Sequence, residues 1–221
     1  MKLSNPTDGI LTASMTAVLE VMNRIPTARS GRSIASSCQG VSVSQANIVL
    51  RRLESIGIVS SIAAPPSKLY SLNSEHLLTQ PLLDLVNARE RAFGWLSHEL
   101  ASLPGLISAT YFGSVARGED HELSDLDLLL VFEDHQIPSA DLVFELGQGF
   151  LVRTGNSLGV ISKSLSELSP MVTGKSAFMQ NVLSEGVVLL GEALATTIER
   201  NPVETPSRTI SSSSASISRR R

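Results

Sequence analysis

Two aspartates, Asp125 and Asp127, open an apolar run in a chain of 221 residues, a short distance after a Gly113-Ser114 turn. On a β-strand, residues two apart project from the same face, so the two carboxylates sit side by side. In an apolar setting that arrangement costs charge repulsion unless a cation offsets it. Mg2+ is the natural cation, because it takes hard oxygen ligands and often brings substrate phosphates with it. Gly113 lets the backbone approach a ligand closely. Ser114 adds a hydroxyl at a strand-to-helix turn, a setting suited to phosphate. Together these residues describe a nucleoside triphosphate site. The alternative, a polar hairpin loop with a fortuitous Asp-x-Asp, is weaker, since aspartate is disfavoured inside strands without a reason.

Gly113-Ser114, Arg117-Gly118 and Ser124-Asp125-Leu126-Asp127 resemble the signature of the DNA polymerase β-like nucleotidyltransferase superfamily, and most closely its minimal nucleotidyltransferases. The resemblance runs over roughly residues 105 to 192. It implies ATP with Mg2+, the metal and the catalysis resting on Asp125 and Asp127, and the nucleotide on Gly113, Ser114, Arg117 and Ser124. In the family's reaction an acceptor hydroxyl attacks the α-phosphorus in line and pyrophosphate leaves. Metal charge stabilises the entering and leaving oxygens. Active members commonly add a third carboxylate from a later strand. The matching stretch here, Thr154 to Lys163, contains no acid. Asp141 and Glu145 fall on the preceding helix, and Glu133 and Asp134 at the far end of the strand. Nucleotide binding is therefore expected from the first half of the site, and catalysis is left open. For Arg117, pairing with Glu119 or Asp120 is a comparably good role.

These residues need elements to hold them. Leu106 to Phe112 reads as a strand, followed by a short helix near Val115 and a second strand from Asp125 to Phe132. Leu126, Leu128 and Leu130 fill one face of that strand, while Leu129 and Val131 follow the aspartates on the other. A strand apolar on both faces is central in its sheet. Ser139 to Gly147 is a helix, Leu158 to Ser162 a strand, and Ser164 to Leu190 mostly helical. Ser74 to Leu103 is a long helical segment, with Pro81 in its first turn or between two pieces; it packs the two halves together or forms a homodimer seam.

Upstream, helical spacing marks Leu11 to Ile25 and Ser30 to Cys38. A third helix starts at Ser42, where Ser42 and Gln45 fit a capping box, and Gly57 is a good residue to end it. Two short strands, Ile58 to Ile62 and Lys68 to Leu72, make a hairpin across Ala63-Ala64-Pro65-Pro66-Ser67. Over roughly residues 8 to 74, this order and the Gly40-Val41-Ser42 turn resemble the winged helix-turn-helix of bacterial transcription regulators. The resemblance places the third helix in the major groove of double-stranded DNA. Ser44, Gln45, Asn47, Ile48 and Arg51 would face outward there. Gln and Asn pair with adenine, and Arg with guanine or phosphate. Arg52 and Lys68 would reach the DNA backbone. A winged helix used only for protein contact is the other reading.

The expected fold class is α+β. A winged helix-turn-helix covers residues 1–75, a connecting helix 76–104, a nucleotidyltransferase-fold mixed sheet with flanking helices 105–198, and a disordered Ser/Arg-rich tail 199–221. Charge follows the same divisions. Residues 1–80 hold seven Lys/Arg against four Asp/Glu, residues 81–199 six against sixteen, and residues 200–221 five against one. The acidic middle would repel DNA, so any DNA contact belongs to the ends. Aromatic content of 4% argues against a stacking surface for single strands. The lone Cys38 excludes an internal disulfide, and the four histidines show no zinc spacing. No apolar run has the length of a membrane span, and a cytoplasmic protein is expected. Two functions stand. One is a DNA-binding transcriptional regulator whose nucleotidyltransferase domain binds nucleoside triphosphate and Mg2+. The other is an antitoxin-type nucleotidyltransferase that transfers AMP to a protein partner such as a toxin.

Overall fold

Hydroxyl caps open the first three helices. Thr12 accepts from the Met15 N–H, Ser30 from the Ser33 N–H, and Ser42 from the Gln45 N–H. Each satisfies an amide that a first helical turn leaves without a partner. The helices are α1 (Ala13–Arg24), α2 (Gly31–Ser37) and α3 (Val43–Ser55). The structure is a computed structural model that describes residues 1–173 and 176–200, the side chains of Ser169, Val172 and Thr173 excepted.

A three-stranded antiparallel sheet closes the N-terminal half, in the order β1 (Arg29–Ser30), β3 (Ser67–Leu72), β2 (Val59–Ala64). The expected hairpin is present, but its strands pair further into the connection, through Ala64 and from Ser67, so only Pro65 and Pro66 turn between them. The two-residue strand β1 does not follow from sequence, because two residues carry no period. Val18, Leu19, Ile34, Leu50 and Leu53 form the core between these helices, and Tyr70 of β3 lies against them.

The long helical segment is two helices, α4 (Thr79–Val86) and α5 (Ala88–Ala101), broken at Asn87. The break has a packing reason: Val86 belongs to the N-terminal core, whereas Phe93, Leu96 and Leu100 belong to a second one. Pro81 sits in the first turn of α4, where its missing N–H costs no helical bond.

The second half is a mixed sheet in the order β6 (Leu158–Ser164), β5 (Leu126–Phe132), β4 (Leu106–Phe112), β7 (Val187–Gly191). Strand β5 runs parallel to β6 and antiparallel to β4, and β7 is antiparallel to β4. As its composition requires, β5 is interior. Leu126, Leu128, Leu130 and Phe132 face a core with α5 and α7 (Ala140–Thr154), while Leu129 and Val131 face the opposite core. Between β4 and β5 lies the single turn α6 (Ser114–Arg117).

Several boundaries differ from expectation, among them the start of β5, at Leu126 rather than Asp125, because ladder pairing with β6 begins at Leu126. Helix α7 continues past Gly147 to Thr154, where Gly155 at φ +74° ends it; Gly149 within it leaves room for the Trp95 ring, which a Cβ would approach to 2.9 Å. The stretch expected to be helical to Leu190 is α8 (Leu165–Thr173), α9 (Ala177–Glu185) and then strand β7, which is held by pairing with β4. Residues 199 and 200, expected in the tail, end α10 (Leu194–Arg200); the rest of the expected tail, 201–221, lies outside the described residues. Among the described residues no helix is long and apolar enough to cross a membrane.

Candidate active site

Asp127 is the second residue of β5, opposite Phe112 on β4 and Gly159 on β6. Its carboxylate is walled by glycines. A Cβ on Gly113 would lie 2.6 Å from Oδ2, and one on Gly159 would lie 3.2 Å from Oδ1. A side chain at Gly113 would force the carboxylate to shift, and one at Gly159 would crowd it. Asp127 is half-buried, whereas Asp125, one residue ahead of the strand, is exposed. Burial first, and the Asp125 charge second, push the Asp127 carboxyl up from its ordinary value. Neither carboxylate has a hydrogen-bond or ion-pair partner among the described residues.

Two adjacent carboxylates in this state suit a hard divalent cation. Mg2+ asks for few protein ligands, because it keeps several waters and binds substrate phosphate oxygens. Asp125 and Asp127 fit that pattern. Among the described residues no third His, Cys, Asp or Glu joins them. The register explains the missing acid: the β6 residue beside Asp127 is Gly159, packed against the carboxylate. Asp141 and Glu145 are both exposed on α7, and Asp134 at the other end of β5 accepts the Ser166 N–H at 3.1 Å.

Gly113 caps α6 at φ +74° and ψ −152°, a region essentially reserved for glycine. Its N–H donates to Oε1 of Glu185 at 3.3 Å. Nη1 of Arg117 donates to both oxygens of the same carboxylate at 2.8 Å, and Nε donates to Glu119 at 2.7 Å. Glu119 first and Glu185 second push the guanidinium further toward its charged form. Of the two partners expected for Arg117, Glu119 is present and Asp120 is not. Asp120 is buried instead and accepts the Ser4 N–H at 3.0 Å. Ser114, half-buried, opens α6 beside Gly113. Glu185, at the end of α9, carries no signal in sequence: it lies 68 residues from Arg117 and reaches it only through the packing of α9 on β4.

Ser124 is engaged within its own loop. It is buried, and its Oγ accepts the His121 N–H at 2.9 Å. Asn156 secures the same loop from below. Its Nδ2 donates to the carbonyls of Glu122 at 3.1 Å and Ser124 at 2.9 Å, while Oδ1 accepts from the Met1 amine at 3.0 Å. The one sequence hint is a polar residue directly after Gly155, the glycine that ends α7. Asn156→Ala takes the donor from the Ser124 carbonyl, while the Met1 amine still reaches the Glu122 carbonyl at 3.0 Å, and is expected to lower stability by about 1–3 kcal/mol. Urea unfolding measures it, and an unchanged midpoint would mean that the bridge contributes nothing.

On α3 the residues expected at DNA divide. Ser44, Arg51 and Arg52 are exposed. Gln45 is exposed, but its Oε1 accepts from the Ser42 N–H at 2.9 Å and from the Ser42 hydroxyl at 2.8 Å. The capping box thus uses the acceptor that a bidentate adenine pair requires. Asn47, expected to face outward, is half-buried; its Oδ1 lies 2.3 Å from the place a Cβ on Gly31 would take. Lys68 is exposed and pairs with Glu54 at 3.3 Å.

Residues 95–176 match the nucleotidyltransferase domain family. No curated protein matches the chain. Among solved structures, a toxin–antitoxin crystal structure with AMP-PNP is 21% identical over 50% of this chain and 85% of that one, with a TM-score of 0.37. A structure of a tri-AMPylated Shewanella oneidensis HEPN toxin in complex with MNT antitoxin is 16% identical over 50% of this chain and 84% of that one, with a TM-score of 0.34. At these scores the likenesses carry no argument about function.

Proposed function

We propose that residues 105–198 bind a nucleoside triphosphate with Mg2+, ATP being the first to test, and transfer its nucleotidyl group to an acceptor hydroxyl. One observation carries the reading: a carboxylate pair without partners among the described residues, Asp125 and Asp127, beside a backbone N–H at Gly113 that already holds an anion. The domain match over residues 95–176 supports it. Asp125 and Asp127 would hold the metal, which supplies charge at the α-phosphate and the departing pyrophosphate. The Gly113 N–H and Arg117 would bind the outer phosphates, and the Ser114 hydroxyl would join them. Half-burial of Asp127 keeps the charge interaction strong by limiting water around it. Opposite Asp127 stands Gly159 rather than an acid, so the acceptor proton has no dedicated base there, and slow transfer is expected.

The acceptor class to test is a protein, as in the antitoxin reading. The experiment is incubation with α-labelled ATP and Mg2+, with and without the product of the neighbouring gene, beside calorimetry with a non-hydrolysable analogue. Binding that ignores Mg2+, or no binding, would end this reading.

A DNA role for residues 1–75, as a winged helix-turn-helix, is the second reading. What favours it is the exposed pair Arg51 and Arg52 on α3, with Arg32 and Lys68 lining a cleft of about 280 Å³ beside Ser30 and Asn47. Joint replacement of Arg32 and Arg51 by Ala is expected to weaken binding to a random-sequence duplex and to flatten its salt dependence. The slope should fall by about 1 for each phosphate that loses its cation. Unchanged affinity and slope would leave this half to protein contacts.

A further inference from the structure

We propose that Glu185 is a built-in plug for the phosphate cradle, a carboxylate that takes the place of a phosphate and must swing out before a triphosphate can seat. The inference rests on the nucleotide reading and adds a regulation to it. Three hydrogen bonds define the cradle, one from the Gly113 N–H and two from Arg117 Nη1, and all three end on the Glu185 carboxylate. A backbone N–H at a strand-to-helix turn and a guanidinium are the groups that recognise phosphate oxygens. A carboxylate meets the same donors with the same sign of charge, so it cannot share them with a polyphosphate.

The surroundings say which part can move. Phe178 of α9 meets Phe112 edge-on at 5.4 Å. Met179 and Val182 of α9 are buried in the core on the aspartates' face of the sheet. Gly186, which links α9 to β7, passes close to its neighbours: its N–H donates to the Val182 carbonyl at 2.9 Å, and a Cβ there would lie 2.7 Å from Thr110 Cγ2. The helix is therefore fixed, and release falls to the side chain. That side chain is 22% exposed, which gives it a path to solvent. Until it leaves, only the unplugged fraction of molecules is competent, and the apparent dissociation constant is the intrinsic one divided by that fraction.

The test is calorimetric titration of Mg·ATP analogue, and separately of Mg·pyrophosphate, into the wild type, Glu185→Gln and Glu185→Ala. Circular dichroism and thermal melting confirm that the variants fold. Both variants are expected to bind at least about 10-fold more tightly, since displacing charge-assisted hydrogen bonds is the cost removed. Equal affinity in all three proteins, with binding still abolished by Asp125→Ala/Asp127→Ala, overturns the plug and leaves the nucleotide site standing. Weaker binding in both variants also overturns it, and makes Glu185 a support for the bound nucleotide. Failure of every form to bind, wild type included, removes the nucleotide site and the plug together.

Discussion

Asp127→Asn is expected to end Mg2+-dependent nucleotide binding and to reduce label transfer by at least about 100-fold, because replacing groups that merely support metal ligands already costs 10–100-fold. Asp127 should matter more than Asp125. Its carboxylate is half-buried and fixed between Gly113 and Gly159, whereas Asp125 is exposed and free to be replaced by water. The same variant should leave the metal-free fold at least as stable as the wild type at neutral pH. A carboxyl whose pKa is raised by folding binds its proton more tightly in the folded state. It therefore lowers stability as pH climbs from the ordinary aspartate value through the raised one, and the loss persists above. Asparagine keeps the shape and removes the charge, so that loss disappears. Thermal melting with and without Mg2+ separates the effects: the wild type should gain stability from Mg2+ with nucleotide, and the variant should gain none. Equal gains in both proteins, or transfer within a few-fold, would remove Asp127 from the site.

Gly113→Ala carries the second large effect, and Gly118→Ala is its control. Both glycines have positive φ, +74° and +71°, so both substitutions strain the backbone. At Gly118 the conformation is left-handed helical with ψ 21°, and nothing lies within 4 Å of the new Cβ. That change should cost about 1–2 kcal/mol and leave binding intact. At Gly113 the backbone lies in the region closed to side chains, at about 1–3 kcal/mol, and the Cβ would sit 2.6 Å from Asp127 Oδ2. The carboxylate must shift, and the N–H that faces the phosphate cradle turns with the peptide. Loss of Mg·ATP binding in Gly113→Ala alone is the expected result. Matching behaviour of the two variants would mean that Gly113 acts only as a turn.

Short-range periods are what sequence carries well. Alternation along Leu126 to Phe132 is enough to divide that strand between two faces, and the structure assigns those faces to two separate cores. The Ser42–Gln45 box is legible because both its hydrogen bonds close within three residues. The same box shows the limit of reading positions one at a time: Gln45 is also expected to read adenine, and its carbonyl serves the cap. Strand β7 reads as helix because Val187 to Leu190 has no alternation, and only pairing with β4 makes it a strand. The long helix reads as one piece because its apolar steps continue across Asn87. Nothing local says that the residues before and after that point belong to different cores.

The order of residues by itself determined that Asp127 stands at the head of an interior strand, with Asp125 two positions before it and a glycine-serine turn upstream. Such features arise from covalent geometry and the two-residue repeat of a strand, which hold wherever the chain folds. Only the tertiary structure decided what meets that pair: Gly159 where an acid was sought, Asn156 beneath the loop, and Glu185 in the phosphate cradle. These contacts join residues about 30 to 70 positions apart. They are set by the register of β6 on β5 and by the packing of α9 on β4, and no local spacing carries that information.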